Sequence, residues 1–500
     1  MIYYFQTLHK MVIWSDSQEE KIIEILENGG ACRKCCQRFL GKKQSHVYKN
    51  LHQIETDKMS ESKHCKPNPC VVCLGILQDA YMMPRVNEII ASIKNSGYDA
   101  DKFTLSISLP ISLSIREHSL WLHLEKTGRD ILEGKLSKED VTPLKQVWKY
   151  VYPELVTSQV GLTHESGETA DFYVELVVLW EKDSQEMTAM ERLCPKEYAA
   201  RAKKTNVYNM GVYSRQGVDN SLENIQYDTF APEVPVPPTV PDKPFDLDFR
   251  MSRNSIWIGG RYNKYTRHLP QTPWLIKGVR KCGSSVEELI GDRLKEYLQC
   301  EQIKFLSSGR EDVDVRMLGS GRPFAFECVN SKKTKLPQSD LDELTKSIND
   351  NHEAVQVHSL SRVSKASIKK LKQGEEEKRK KYTALCRTKD PYCLETIRKL
   401  EEMTDLVLKQ ETPVRVLHRR SNAFRDKVVH SMNITQVSPT LFKLEAIAAA
   451  GTYIKELVHG DFQRTQPNLC TMLGLETDIL ALDVEEVFLD WPLEEKNGYK

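Results

Sequence analysis

The stretch Gly309-Arg-Glu-Asp-Val-Asp-Val-Arg316 decides how the chain is interpreted. Asp312 lies two residues from Arg310 in a glycine-flanked segment between apolar runs, a setting that keeps a lone carboxylate ionised and nucleophilic. The alternation of charged residues with Val313 and Val315 is equally typical of a half-exposed strand. The sequence around this segment has to decide between the two interpretations.

Working outward, the 500 residues exceed what one hydrophobic core usually serves, so at least two domains are expected. Prolines are concentrated in residues 228–246, which predicts a semi-rigid extended linker between a region at 1–227 and a domain at 247–500. Strand-like alternation, as in Phe172–Trp180, is mixed with helical patterns such as Pro143–Val151. The predicted fold class is α+β.

Composition excludes several classes of protein. No stretch approaches the ~20 consecutive apolar residues of a membrane span. The apolar first residues lack a small-residue cleavage site, so we expect no secretory signal and no secretion. Thirteen cysteines, an odd number, favour reduced thiols and metal binding over a disulfide framework. The nucleus and the cytoplasm both remain open as compartments.

Two cysteine pairs predict a metal site. Cys32-x-x-Cys35 and Cys70-x-x-Cys73 together supply the four thiolates that tetrahedral zinc prefers. Cys36 and Cys65 are disfavoured as ligands because each falls outside a paired turn. A deaminase zinc is also disfavoured, because its pattern needs a His-x-Glu upstream and four thiolates leave no open position for water. The zinc is therefore predicted to be structural.

Basic residues and aromatic residues are interleaved between Met251 and Lys281, where no Asp or Glu occurs. Basic side chains neutralise phosphates and aromatic rings stack on bases, so this mixture suits an RNA-contacting surface. A solvated basic face over a strand explains the same residues. A second basic segment, Arg415–Arg425, is predicted to be a loop between two strands that could grip an RNA backbone, and its His418 is not predicted to bind metal.

Three further motifs give the Asp312 segment a context: Arg261–Trp274, Arg415-Val-Leu-His-Arg-Arg420 and Gly451–Phe462. With the Arg-x-Asp-x-x-Val core at 310–315 they resemble the pseudouridine synthase ten family, the archaeal and animal tRNA pseudouridine synthases that act on the T arm. The resemblance is close over 251–491. The N-terminal region is more weakly similar to the family's zinc-containing, THUMP-type RNA-binding accessory region. The resemblance implies a mixed-sheet catalytic domain at 247–500.

The resemblance also implies an activity and its residues. The family converts uridine to pseudouridine at position 54, and in some members 55, of tRNA, without a catalytic cofactor. Asp312 would be the catalytic residue and Lys455 the basic residue paired with it. Tyr382 would stack on the flipped base, while Ile454 and Leu482 would wall the pocket. Three arginines complete the predicted substrate-binding set: Arg310, Arg419 and Arg420.

One alternative function stays open. An RNA-binding protein or small-RNA processing factor could use the same basic surfaces without turnover, and small RNAs other than tRNA are open as partners. Asp312, Tyr382 and Lys455 together favour the enzyme, because a binding module needs no buried carboxylate. Whether the carboxylate attacks the sugar, attacks the base or removes a proton is not decided by the sequence.

Overall fold

The computed structural model describes residues 14–61, 67–132, 136–165, 167, 169–208, 211–418 and 420–492. The chain divides into two compact units, Met1–Ser252 and Arg253–Lys500. The division lies beyond the predicted linker at 228–246. Residues of that proline-rich segment pack on the first unit, since Arg116 donates to the Thr239 carbonyl (3.1 Å) and Ser119 to the Pro235 carbonyl (2.6 Å).

The first unit combines a small sheet with many helices. The strands are Lys102–Ser108 (β1), Thr163–His164 (β2), Phe172–Leu179 (β3) and Asp246–Arg253 (β4). The helices are Asp16–Asn28 (α1), Arg33–Phe39 (α2), Ser45–Glu61 (α3), Asp79–Asn95 (α4), Leu113–Thr127 (α5), Arg129–Leu132 (α6), Leu144–Val160 (α7), Asp183–Met187 (α8), Ala189–Leu193 (α9), Pro195–Tyr208 (α10), Arg215–Leu222 (α11) and Tyr227–Phe230 (α12), with a 3-10 turn at Lys138–Asp140.

The strand order in this sheet is β2-β1-β3-β4, and β1 runs parallel to both β2 and β3. Alternating apolar residues of β1 and β3, such as Phe103 and Val174, point to one buried face. For β3 this matches the alternation predicted over Phe172–Trp180, because successive side chains of a strand face opposite sides. The sheet shares one core with helices such as α1, α4 and α7. Helices α8 to α12 pack with one side of α5 in a second core.

The second unit is built on a larger sheet. Its strands are Ile256–Lys264 (β5), Leu275–Ile276 (β6), Val279–Arg280 (β7), Gln302–Ser307 (β8), Arg316–Val329 (β9), Val355–Val363 (β10), Lys380–Thr388 (β11), Leu406–Glu411 (β12), Phe424–Ser438 (β13), Leu441–Ala448 (β14), Thr465–Gln466 (β15) and Thr477–Val487 (β16). Its helices are Val286–Leu298 (α13), Gln338–Asn351 (α14), Lys365–Glu377 (α15), Leu394–Glu401 (α16), Ile454–His459 (α17) and Leu469–Leu473 (α18), with a 3-10 turn at Val414–Val416.

The strand order is β10-β5-β9-β16-β11-β14-β13-β12-β15, with β8 also paired to β9, while β6 and β7 form a separate hairpin. The sheet is mixed, since β9 pairs parallel with β16 and antiparallel with β5 and β8. The predicted α+β class with a mixed sheet is confirmed. Among the described residues, no helix is long and apolar enough to cross a membrane.

Two glycines of β9 allow its close approach to β16. Gly319 and Gly321 have positive φ (53° and 72°), and a Cβ on Gly319 would lie 2.0 Å from the Glu485 carbonyl oxygen. Glycine adopts this backbone conformation without steric cost and leaves room for this close approach. The pairing of Arg316 with Asp483 places the loop before β9 beside β16, in the interior of the sheet, where the candidate site lies.

Candidate active site and metal centre

The loop 308–315 joins the antiparallel strands β8 and β9 and carries Asp312. Gly309 has a φ of 91°, and the Val315 amide donates to the Asp312 carbonyl (3.1 Å), which closes a turn. The buried Lys264 amine donates to the carbonyls of Asp312 (3.0 Å) and Leu269 (2.8 Å). Burial lowers the pKa of Lys264. A buried cation on β5 thus fixes the backbone beside the candidate catalytic carboxylate.

Beneath the loop, Glu311 points into the protein, away from the half-exposed Asp312. Its carboxylate accepts from the Tyr262 hydroxyl (2.8 and 2.9 Å) and from Arg322 Nε (2.7 Å). Gln271 Nε2 donates to the Tyr262 oxygen (2.8 Å) and to the Gly309 carbonyl (3.0 Å). Glu311 and Arg322 form an ion pair whose side chains are 0% and 1% exposed. This network anchors the loop from below.

Around Asp312 the charges alternate in sign. Arg415 Nη1 lies 2.5 Å from Asp312 Oδ2, and Arg415 Nε lies 2.7 Å from Oε1 of the buried Glu456. Lys455 Nζ lies 3.7 Å from Asp312 Oδ2 but 2.7 Å from Asp314 Oδ2. Burial acts to raise the pKa of Asp314. The hydrogen bonds and the charge of Lys455 outweigh burial and hold this pKa below its ordinary value. Asp312 is therefore closer to Arg415 than to Lys455.

This arrangement differs from the one expected from sequence. Arg310 was expected to keep Asp312 ionised, but its guanidinium donates to Thr272 Oγ1 (3.2 Å). The backbone turns within this loop instead of running extended, so residues two apart in sequence need not share one side. Arg415, expected to grip RNA, instead faces the carboxylate. It lies on the 3-10 turn Val414–Val416, at the start of the predicted basic loop.

A cavity of about 350 Å³ opens at Asp312. Its lining includes seven of the predicted site residues: Arg310, Asp312, Tyr382, Arg420, Ile454, Lys455 and Leu482. Its volume lies within the roughly 300–1,000 Å³ of small-molecule pockets. The eighth, Arg419, lies outside the described residues. The cavity brings together residues that are up to 172 positions apart in the sequence, from Arg310 to Leu482.

The positions of three cavity residues follow from the elements that carry them. Tyr382 lies on β11 at an irregularity in its pairing with β16, and burial raises its pKa to about 12. Leu482 lies on β16, opposite Ala384 of β11. Lys455 lies in the first turn of α17. An aromatic ring, an apolar side chain and a cation therefore share the cavity with Asp312.

The basic and aromatic stretch 251–281 is only partly a surface. Tyr262 and Lys264 are buried under the loop 308–315, as described above. The hairpin of β6 and β7 is exposed, and Trp274 at its base is 43% exposed. Lys277 and Gly278 form its turn with positive φ (50° and 79°). Basic and aromatic residues are therefore exposed together at the hairpin, as predicted for an RNA-contacting surface. Those of β5 belong instead to the interior.

Sequence reasoning missed Glu311, Arg415 and Lys264 as parts of the site. Glu311 is adjacent to Asp312 and was passed over because an acidic residue in an alternating segment is expected to be exposed. Lys264 is fully buried, which no local pattern indicates. Arg415 belongs to the predicted basic loop, and only the fold reveals its contact with Asp312. None of the three had a signal that sequence alone could separate from a solvated charge.

The four predicted metal ligands lie together in the first unit. The sulfur atoms of Cys32, Cys35, Cys70 and Cys73 are all within 4.8 Å of one another, and they form the one such cluster found among the described residues. Cys32 caps α2 and Cys35 lies within it, while the second pair lies in the turns before α4. The predicted pairing of the two knuckles is confirmed as a group that could hold a metal ion.

The chemistry of this group fits a tetrahedral metal ion. Sulfurs about 2.3 Å from a tetrahedral zinc would be about 3.8 Å apart, and the Cys32 and Cys73 sulfurs are 3.8 Å apart. The Cys32 amide donates to Cys70 Sγ (3.2 Å) and the buried Arg38 guanidinium to Cys35 Sγ (3.7 Å). Donors aimed at sulfur favour thiolates and orient metal ligands. Cys36 is buried outside the cluster, and Cys65 lies outside the described residues.

A buried histidine occupies α5 of the first unit. His118 Nε2 donates to the Ile225 carbonyl (2.9 Å), and Lys138 Nζ donates to His118 Nδ1 (2.8 Å). Acceptance at Nδ1 requires the neutral ring, because both nitrogens of a protonated ring are donors. Burial, followed by the charge of Lys138, lowers the pKa of His118 to about 4. The ring therefore has a structural role that depends on its staying uncharged.

Comparison with known proteins first gives the class. The curated relatives include "tRNA pseudouridine synthase Pus10" of Homo sapiens, 38% identical over 433 residues, covering 86% of this chain and 80% of that protein. The protein of the same name from Methanopyrus kandleri is 35% identical over 267 residues, covering 51% and 59%. The chain is thus similar to proteins named as tRNA pseudouridine synthases.

Two family models give the particular family. The one described as "Pus10, C-terminal" matches residues 257–488, and "Eukaryotic Pus10, N-terminal" matches residues 70–248. The chain belongs to the Pus10 family. The family suggested by the sequence motifs is thereby confirmed.

Similar solved structures include the "Crystal Structure of a Cbf5-Nop10-Gar1 Complex", 16% identical with a TM-score of 0.27, covering 46% of this chain and 48% of that one. A second, the "Crystal structure of pseudouridylate synthase", is 12% identical with a TM-score of 0.21, covering 46% and 63%. TM-scores this low carry no argument about this chain.

Proposed function

We propose that the second unit isomerises uridine to pseudouridine in the T arm of tRNA, at position 54 and with position 55 as a further target, using Asp312 as the catalytic carboxylate. The observation that carries the proposal is the shared cavity: the seven predicted residues that line it come from distant parts of the chain. The names of the relatives support the RNA substrate. The tRNA substrate would be in the nucleus and in the cytoplasm. The reaction would use no catalytic cofactor.

The reaction conserves atoms. The bond from N1 to C1′ breaks, the uracil turns, and C5 forms a new bond to C1′, after which C5 loses a proton and N1 gains one. A uracil stacked in an RNA loop has to be flipped out before it can enter a cavity. Tyr382 supplies a ring on which the base can stack, and Ile454 and Leu482 exclude water beside it.

The charges around Asp312 suit this chemistry. Arg415 and Lys455 place two positive charges within 4 Å of Asp312 Oδ2. Each cation is also held by a second carboxylate, Glu456 or Asp314. The two cations are therefore positioned before RNA binds, which limits reorganisation during the reaction. Whether Asp312 attacks the sugar, attacks the base or removes the proton stays open.

For the first unit we propose an RNA-binding accessory role with a THUMP-like part, stabilised by a structural zinc ion on Cys32, Cys35, Cys70 and Cys73. Four thiolates saturate a tetrahedral ion, so the metal would contribute to folding and supply no open position for chemistry. Among the residues that the structure describes, these ligands lie in the first unit and Asp312 in the second.

The test is Asp312→Asn in the full chain. We expect pseudouridine formation in tRNA to be lost while tRNA affinity is retained, because the basic surfaces are untouched and one negative charge is removed from an RNA-binding region. Sequencing-based mapping of pseudouridine at positions 54 and 55 measures the first, and fluorescence anisotropy the second. Asp390→Asn is the matched control, since it removes an equal charge at an exposed position of the second unit, outside the cavity. An active Asp312→Asn protein would refute the assignment.

A further inference from the structure

Directly after α17 the backbone adopts an unusual conformation. Gly460, Asp461, Phe462 and Gln463 have φ values of 78°, 44°, 57° and 71°, so four consecutive residues are left-handed. L-residues other than glycine avoid this region because Cβ crowds the following carbonyl. Strained backbone of this kind persists only where the surrounding structure holds it, and it occurs preferentially at functional sites.

The segment is held firmly. Asp461 Oδ2 accepts from the Val414 amide (3.0 Å), and the Asp461 amide donates to His459 Nδ1 (3.1 Å). The Arg464 amide donates to the Asp461 carbonyl (3.1 Å). Arg464 Nη2 also donates to the Thr412 carbonyl (2.7 Å), tying the segment to the loop that carries Arg415. The left-handed residues are therefore a built part of this loop region.

What this strained segment presents to solvent is an aromatic ring. Phe462 is 89% exposed, the largest exposed fraction of any large apolar side chain among the described residues. Folding gains almost nothing from a ring left in water, and the backbone that displays it is unfavourable. Neighbouring apolar residues are exposed too, with Val414 48% and Phe424 74% exposed. An apolar patch of this kind indicates a binding site.

The charge of the neighbouring loop identifies the occupant. Residues 412–425 contain four arginines and no acidic residue, and Arg420 lines the cavity. Glu411, just before this loop, is paired with Arg464 (3.1 Å). Exposed aromatic rings beside arginines are how proteins bind single-stranded nucleic acid, since bases stack on the rings and phosphates meet the cations.

We propose that Phe462 is a stacking site for an unpaired base of the RNA substrate, separate from the base that enters the cavity. The proposal rests on the function proposed above. Helix α17 begins in the cavity with Ile454 and Lys455. It ends at His459, and the left-handed segment follows directly at Gly460. Its 6 residues span roughly 9 Å, under three base steps of about 3.4 Å. A base near the flipped nucleotide can therefore reach the ring.

The experiment measures the affinity of the full chain for a T-arm stem–loop RNA and for a duplex with the same stem, using fluorescence anisotropy. Stacking contributes enough per base that Phe462→Ala should weaken stem–loop binding roughly 5- to 100-fold. Duplex binding and the salt dependence of stem–loop binding should be unchanged, because the ring contacts no phosphate. Phe462→Trp should retain the parent affinity. Leu394→Ala, at an exposed leucine on α16, is the matched control.

Stability gives an independent readout. Phe462→Gly should lose the same affinity while its melting temperature stays equal to or above that of the parent, because glycine adopts positive φ without steric cost. Unchanged stem–loop affinity of Phe462→Ala, an equal loss on duplex, or a loss explained by altered self-association would each overturn the proposal. A parent chain that binds but makes no pseudouridine would refute the proposed function alone.

Discussion

Glu311→Gln tests how far the buried ion pair under the loop supports the site. The substitution keeps the shape of the side chain but leaves the Arg322 guanidinium buried without its counter-charge. Breaking a buried pair from one side costs about 3–5 kcal/mol, and two charges 4 Å apart at an effective dielectric of about 20 interact by about 4 kcal/mol. Both side chains are almost fully buried, so solvent screening reduces this little. We expect the free energy of unfolding of the second unit to fall by about 3–5 kcal/mol.

Two measurements check this magnitude. For a unit of this size about 2–4 °C of melting temperature accompanies each kcal/mol, so the shift should be about 6–20 °C. Hydrogen exchange of peptides from 257–329 assigns the loss to the second unit of the full chain. The turnover rate at saturating RNA should also fall, by about 100-fold for a displacement of Asp312 of about 1 Å.

The double variant Glu311→Leu with Arg322→Met separates the pair from its neighbours. Replacing both charges by apolar groups should restore much of the stability, because no unpaired charge remains buried. The reasoning is refuted if Glu311→Gln costs less than about 1 kcal/mol, or if the single losses simply add in the double variant.

Three other perturbations reach different parts of the molecule. Cys70→Ser with Cys73→Ser should abolish the binding of one zinc ion per chain and loosen the first unit, because a structural site can contribute ~10 kcal/mol or more; elemental analysis that finds no zinc in the parent contradicts this. As pH falls from 6.5 to about 4, the range set by the ordinary and lowered pKa of His118, the unfolded chain takes up a proton that the folded chain resists. Stability should drop by up to about 3 kcal/mol, and equal pH profiles for the parent and His118→Gln would exclude the effect. Replacing Arg419 and Arg420 by Gln should reduce the slope of log affinity for tRNA against log salt by roughly 0.7–0.9 per lost phosphate contact, and an unchanged slope would place the gripping surface elsewhere.

The sequence predicted features that depend on local pattern. Alternation located β3, cysteine spacing located the four-sulfur group, and motif resemblance named residues such as Tyr382 and Leu482 that line one cavity. Each of these signals lies within a few residues or in a motif.

What could not be predicted depends on contacts between distant elements. Asp312 pairs with Arg415, 103 positions away, whereas Arg310, two positions away, donates to Thr272. Lys264 and Tyr262 look like parts of a basic aromatic surface, yet the pairing of β5 with β9 buries them. The predicted basic loop begins with a 3-10 turn, in which the Val414 amide donates to the distant Asp461 side chain. In each case the environment of a side chain is set by the fold and cannot be inferred from its neighbours in sequence.

Strand β16 has a consequence for how the protein is made. It is the last strand of the described chain, yet it lies in the interior of the sheet between β9 and β11. During synthesis, β9 and β11 must leave the ribosome and wait for residues 477–487 before the two halves of the sheet can join. Their unpaired edges are sites for aggregation during that interval. The wall of the cavity that Leu482 provides therefore forms late in translation, and the second unit should depend on chaperones more than its stability alone would suggest.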